Sequence, residues 1–155
     1  MEQRPNSVEG KYITFVLGRE EYGVSLNKVR EILESVIIQD SENNDPCVKG
    51  VMKIRNQKVP VLDLRCRFGL GAGPAKDSYT VLIAAFGPAG VITGLIVDSI
   101  RQVLHIQAKV MEKLETATDD PRAEYVMGVV NTEGRPILIL NLDKGADLLP
   151  VVDLI

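Results

Sequence analysis

Few side chains in this sequence could carry out catalysis. His105 is the only histidine, and acid–base catalysis would require it in a pocket beside an orienting partner. It follows Val103 and Leu104 at the end of a predicted strand, which favours a half-exposed structural histidine. The chain contains no nucleophile-elbow, zinc-protease or P-loop motif. We therefore expect no enzymatic activity, no catalytic residue and no cofactor.

The two cysteines, Cys47 and Cys66, could in principle bind a metal or form a disulfide. A zinc site needs about four ligands, and the chain has no second cysteine pair, so we expect no metal site. A disulfide is disfavoured in a reducing compartment. The sequence therefore predicts two small thiols that are buried or half-buried.

A glycine-rich segment at residues 69–77 partly resembles a dinucleotide-binding loop. Such a loop must follow a strand and open a helix. Here Pro74, Lys76 and Asp77 lead into a β pattern instead. The segment is therefore interpreted as a flexible linker at about residues 71–78.

Glu31 and Arg55 are charged residues beside buried-looking strands. Glu31 lies among apolar residues of one predicted strand, and Arg55 ends another. Opposite charges in such places either pair with each other or remain two solvated surface ions. The pattern alone leaves both possibilities open.

The composition is that of an ordinary globular protein, with 155 residues, 45% hydrophobic and 25% charged. A net charge of −3 argues against nucleic-acid binding, which usually needs a basic patch. No apolar run approaches the roughly 20 residues that cross a bilayer, and the N-terminal ten residues lack a signal-peptide core. We expect a cytoplasmic protein that does not insert directly into a membrane.

The chain contains an internal duplication. Gly23 and Gly94 start one matching block with an offset of 71 residues, and Gly50 and Gly128 start another with an offset of 78. The difference of 7 predicts an insertion in the second copy, within residues 107–116.

The duplication predicts one domain at residues 12–145, made of two similar lobes. Lobe one covers about residues 12–70 and lobe two about 79–145. Residues 1–11 are expected to be a flexible N-terminus and 146–155 a C-terminal tail.

Each copy reads as short strands separated by tight turns, so the predicted fold class is all-β. Five strands per copy suggest two small barrels, which avoid open sheet edges and pack together around a groove. Helical signals are weak and suggest short turns at residues 63–68, 109–115 and 143–149.

Residues 50–65 resemble the motif of the CheW family, for which the pattern G-V-I-N-L-R-G-x-x-x-P-V-I-D-L-R is expected. Residues 12–24 and 29–32 resemble the opening strands of that family, and residues 94–98 and 134–143 resemble its second half. The similar segments occur in the family order over about residues 12–147.

The resemblance implies two intertwined five-stranded SH3-like barrels and a non-enzymatic adaptor in bacterial chemotaxis. Such adaptors join the tips of methyl-accepting chemoreceptors to the regulatory domain of a CheA-type histidine kinase, and so would associate with membrane receptor arrays. The key arginine of the family corresponds to Arg55 and its partner glutamate to Glu31. The receptor groove would be lined by Leu26, Val29 and Ile100.

The sequence departs from the family pattern at Lys53, at Asn56 and over residues 41–48. These changes leave open an accessory CheW-like protein that serves another chemosensory pathway. A second alternative is a small β-barrel module that binds a ligand or RNA. That module would need an aromatic platform or a basic stripe, whereas aromatic residues are 5% and tryptophan is absent.

Overall fold

The computed structural model describes residues 9–40, 45–71, 76–113 and 119–144, and these residues form ten β-strands. The strands are β1 (Gly10–Leu17), β2 (Glu20–Ser25), β3 (Val29–Val36), β4 (Val48–Ile54), β5 (Gln57–Asp63), β6 (Tyr79–Phe86), β7 (Val91–Val97), β8 (Ser99–Ile106), β9 (Val126–Thr132) and β10 (Arg135–Leu140). One short helix, α1 (Leu64–Arg67), follows β5, and 3₁₀ turns lie at Leu26–Lys28 and Ala108–Val110. The predicted all-β class with short helical turns is confirmed.

The ten strands form two five-stranded sheets that exchange strands between the halves of the chain. The first sheet has the order β8-β1-β2-β10-β9, and the second has the order β3-β6-β7-β5-β4. Replacing each strand by its counterpart in the other copy converts one order into the other. The predicted intertwined pair of barrels is therefore present. The boundaries at 12–70 and 79–145 stay a prediction, and each sheet contains strands of both copies of the repeat.

The glycines that mark the repeat allow the chain to pass close to itself. A Cβ atom on Gly50 would lie 2.0 Å from the carbonyl oxygen of Gln39, and one on Gly128 would lie 2.6 Å from that of Glu112. In each copy the residue after the glycine forms an isolated antiparallel bridge with that same neighbour. These two bridges bring the segment after β3 onto β4 and the segment after β8 onto β9, so they help to close each barrel.

The hydrophobic core has a central cluster between the sheets and one smaller cluster within each barrel. The central cluster contains fully buried side chains of both sheets, including Phe15, Tyr22, Leu82 and Leu95. At roughly 25 cal/mol per Å² of buried apolar surface, such side chains stabilise the fold by about 1.5–3 kcal/mol each. Because the central cluster draws on both sheets, the two barrels are expected to unfold together.

A side-chain network around Arg122 fixes the turn before β9 to strand β2. The guanidinium of Arg122 donates to Asp120 (2.9 Å), to Glu20 (2.7 Å) and to the hydroxyl of Tyr22 (2.9 Å). Burial raises the pKa of Tyr22 to about 12, and the hydrogen bonds from Arg122 lower the pKa of Asp120. The turn leads into Tyr125, which belongs to the central core cluster.

The expectation of two separate thiols is wrong, because Cys47 and Cys66 form a disulfide. The two residues are 19 positions apart in the sequence, but strands β4 and β5 pair antiparallel and bring them together. Sequence reasoning relied on the expected compartment, whereas the hairpin sets the distance between the residues.

The short helical segments partly follow the predictions. α1 lies within the predicted turn at 63–68, and in the described part of 109–115, residues 109–113, a 3₁₀ turn (Ala108–Val110) overlaps the start. Residues 1–8, 41–44, 72–75, 114–118 and 145–155 lie outside the described residues. They include most of the predicted N-terminus, half of the departure from the family pattern at 41–48, half of the linker, most of the predicted turn at 143–149 and the C-terminal tail. Among the helices of the described segments, none is long and apolar enough to span a membrane.

Candidate partner-binding surface

Arg55 lies at the tip of the β4–β5 hairpin, in a turn that points it toward solvent. Both turn residues have positive φ angles, 47° for Arg55 and 67° for Asn56. This is the signature of a two-residue turn that matches the twist of paired strands. The same turn recurs in the second copy, where Glu133 and Gly134 have φ angles of 52° and 77°. Asparagine adopts this left-handed conformation more readily than arginine does.

Arg55 and Glu31 form an ion pair. The distance from Nη2 of Arg55 to Oε1 of Glu31 is 2.6 Å, and the two side chains are 79% and 28% exposed. Glu31 lies on β3 at one edge of the second sheet, and Arg55 lies in the hairpin at the opposite edge. The pair therefore joins the two edges of this barrel. An arginine has five N–H donors, so the guanidinium can still donate to a partner.

The three apolar residues predicted to line a groove lie where the chain passes from one sheet to the other. Leu26 is in the 3₁₀ turn between β2 and β3, Val29 begins β3, and Ile100 lies near the start of β8. All three are partly buried and pack against the central core cluster. The structure thus brings all three residues to the central core cluster. The Arg55–Glu31 pair lies further along β3, where the tip of the β4–β5 hairpin meets that strand. Their role in binding remains a prediction.

A second charged contact, which the sequence did not single out, holds the crossing before β8. Arg65 donates from Nη1 to both carboxylate oxygens of Asp98 at 3.3 and 3.2 Å, and the amide of Gly18 donates to Asp98 at 2.7 Å. Asp98 immediately precedes β8 and is two residues from Ile100. Arg65 ends the motif-like segment 50–65, and Asp98 ends the motif-like segment 94–98. Their places at the ends of these segments could have drawn attention to the pair. The contact positions the β7–β8 crossing.

The edge strands also expose apolar side chains that sequence reasoning missed. Ile32 on β3 is 40% exposed and Val103 on β8 is 54% exposed, and they occupy equivalent places in the two copies. Both strands alternate between exposed and partly buried residues. The outer face is otherwise polar, as is usual, with Arg30 and Glu34 on β3 and Arg101 on β8. Ile32 and Val103 therefore each interrupt a polar face.

The surface combines charged side chains with half-buried apolar ones. His105 is exposed on β8. Within the ranges that the structure describes, no group of three or more histidine, cysteine, aspartate or glutamate residues could hold a metal ion. What this surface offers a partner is a fixed guanidinium, a carboxylate and half-buried apolar side chains.

Comparison with known proteins agrees with this description. The family model described as the CheW-like domain matches residues 11–149 of this sequence. The chemotaxis protein CheW of Klebsiella aerogenes is 27% identical over 138 residues, which cover 89% of this chain and 82% of that protein. The CheW of Bacillus subtilis is 26% identical over 137 residues, covering 88% and 86%.

A solved structure is also similar. The crystal structure of the scaffolding protein TtCheW from Thermoanaerobacter tengcongensis superposes with a TM-score of 0.76 at 27% identity. The alignment covers 87% of this chain and 90% of that one. These findings do not favour an accessory protein of another pathway or a ligand-binding module.

Proposed function

Because the chain belongs to the CheW-like domain family, we propose that it joins the tips of methyl-accepting chemoreceptors to the regulatory domain of a CheA-type histidine kinase. The chain is a non-enzymatic coupling adaptor of bacterial chemotaxis. The observation that carries this conclusion is the match of the CheW-like domain over residues 11–149. The two named partners are the proposal.

The geometry of the Arg55 turn supports the proposed contact with a partner. Arg55 is mostly exposed, yet its guanidinium is oriented by Glu31. A charged group that is already oriented loses less side-chain entropy on binding than a free one. Guanidinium groups also form paired hydrogen bonds to carboxylates and carbonyls, which adds specificity.

The half-buried residues Leu26, Val29 and Ile100 are proposed to contribute an apolar contact. Each already packs one side against the core, so its position is fixed before a partner arrives. Burying the remaining apolar surface would favour association at roughly 25 cal/mol per Å² removed from water. We propose that this contact engages the receptor.

The proposed location follows from the proposed partners. An adaptor between receptor tips and a kinase would act in the cytoplasm and reach membrane receptor arrays through those partners. It would do so without binding nucleic acid and without inserting into the bilayer itself.

Reconstitution tests the proposal. Receptor-containing membranes, a CheA-type kinase and this protein are combined, and kinase autophosphorylation is measured with and without the adaptor. We expect receptor-dependent stimulation that saturates with adaptor concentration, and co-sedimentation of all three components. The proposal fails if the folded protein neither sediments with the membranes nor changes kinase activity.

A further inference from the structure

The disulfide spans the base of the hairpin that carries the Arg55 turn. Cys47 immediately precedes β4, and Cys66 lies in α1 just after β5. Their Cα atoms are 5.3 Å apart, within the range of about 4.4–6.8 Å that disulfides require. The bond therefore links the two ends of the β4–β5 hairpin.

Other contacts hold the two cysteines at this distance independently of the bond. The amide of Asp63 donates to the carbonyl of Cys47 (2.8 Å), which pairs the ends of the hairpin. The amide of Cys47 donates to Asp45 at 2.9 Å, and Arg67, next to Cys66, forms an ion pair with Asp45. These contacts would keep the two thiols adjacent after reduction, so the bond could form again within one chain.

The charge on Asp45 persists at neutral pH. Burial favours its protonated form, but the hydrogen bonds from Arg67 and from the Cys47 amide outweigh burial and lower its pKa. The carboxylate of Asp45 therefore remains charged, and able to pair with Arg67, at neutral pH.

The two cysteine residues differ in their exposure to solvent. Cys47 is 7% exposed, whereas Cys66 is partly buried at the margin of the central core cluster. We therefore assign Cys66, the more exposed residue, as the first site of attack by a small reagent. Accessible sulfurs dominate thiol–disulfide exchange, because attack requires a direct line to the sulfur atom.

We propose that Cys47 and Cys66 form a reversible thiol–disulfide site that exchanges with a low-molecular-weight disulfide of the glutathione class. In the oxidising direction, the Cys66 thiolate attacks the small disulfide, forms a mixed disulfide and releases one small thiolate. The Cys47 thiolate then attacks the Cys66 sulfur and releases the second small thiolate. Two protein thiols are oxidised, one small disulfide is reduced to two thiols, and the two thiol protons pass through solvent to the released thiolates.

The bond should stiffen the hairpin base and stabilise the fold. A disulfide restricts the unfolded chain, and this one closes a loop whose ends are 19 residues apart. For a chain of this size, the expected rise in melting temperature is roughly 5–10 °C. Backbone amides near the base of β4 and β5 should exchange more slowly with solvent in the oxidised form.

The test uses the full chain equilibrated in glutathione buffers of graded redox ratio. Because the sequence has only two cysteines, we expect free thiols to fall from two to none per chain as the buffer becomes more oxidising. The chain should lose the mass of two hydrogens and remain the same size on a column. The melting temperature of the parent should rise over the same ratios.

Cys66→Ala serves as the matched control whose melting temperature should not respond to the redox ratio. Cys47→Ala should stop at the mixed disulfide and gain one small thiol per chain in oxidising buffer, because it lacks the second attacking thiolate. The proposal is overturned if the folded parent keeps two thiols throughout, if its bond resists reduction in every native buffer, or if the bond joins two chains. Equal melting temperatures for the reduced and oxidised parent would also overturn it. No measurement involves a kinase or a receptor, so the result is independent of the proposed coupling.

Discussion

Arg55→Ala should separate folding from coupling. The substitution removes the guanidinium but retains the Cβ atom. The backbone strain that comes with the positive φ of 47° is therefore the same in the parent and in the variant. Its only ion-pair partner at the turn is Glu31 within the described part of the chain. The change therefore tests the side chain and not the turn.

The stability cost should be small. The Arg55 side chain is 79% exposed and that of Glu31 is 28% exposed, so water and salt screen their attraction. Exposed pairs of this kind are worth about 1 kcal/mol or less. For a chain of this length, that corresponds to a fall in melting temperature of at most about 2–4 °C.

The cost in assembly should be larger if Arg55 contacts a partner. Removing an anchoring arginine from an interface typically costs about 2 kcal/mol or more, which is roughly a thirtyfold loss of affinity. Arg55→Lys should recover only part of this loss, because an ammonium group cannot reproduce the planar fork of a guanidinium. Lys58→Ala removes the same charge from the same hairpin and is the matched control.

The assay measures the melting temperature and receptor-coupled kinase stimulation on the same preparations. We expect Arg55→Ala to melt within a few degrees of the parent and to need a much higher concentration for half-maximal stimulation. Lys58→Ala should match the parent in both measurements. If Arg55→Ala stimulates like the parent, Arg55 is an ordinary surface ion and the functional reasoning for this position is refuted.

Three further predictions concern stability. Gly50→Ala places a Cβ 2.0 Å from the carbonyl oxygen of Gln39, and chemical unfolding should show a loss of about 1–3 kcal/mol or more. Gly10→Ala is the control, because Gly10 has a similar positive φ and no atom within 4 Å of an added Cβ. An equal loss of stability in Gly10→Ala would show that the clash at Gly50 is not the cause. Arg122→Ala removes the guanidinium hydrogen bonds to Asp120, Glu20 and Tyr22 and should cost about 2 kcal/mol by urea titration. A loss below about 0.5 kcal/mol would show that the network is dispensable. The pKa of Asp45 is lowered in the folded state. The ionised carboxylate therefore contributes fully to the free energy of unfolding above about pH 4, the usual pKa of an unfolded aspartate. This contribution is lost as the pH falls through the folded-state pKa. Asp45→Asn should flatten this part of the stability–pH curve, and an unchanged slope would contradict the assignment.

The sequence by itself determined the fold class, the duplication and the family. These features rest on local patterns, such as apolar runs between glycine-rich turns and glycines recurring at offsets of 71 and 78. Local patterns can be interpreted from the sequence because the conformational preference of each residue agrees with that of its near neighbours. The pairing of Glu31 with Arg55 was one of two possibilities at that level, since the residues are 24 positions apart.

Tertiary structure decided which strands share a sheet and which distant side chains meet. The duplication is compatible with two separate barrels as well as with exchanged strands. The path of the chain at Leu26–Lys28 and at Asp98 determines that strands are exchanged. The left-handed conformation of Arg55 likewise depends on the twist of β4 and β5, which one residue does not reveal.

The two cysteines show most clearly what only the tertiary structure decided. From the sequence, their separation and the expected compartment argued for free thiols. In the structure, the antiparallel register of β4 and β5 brings the residues at its two ends together, and the Cα atoms of Cys47 and Cys66 lie 5.3 Å apart. A disulfide depends on distance and direction in space, and only the folded hairpin sets both.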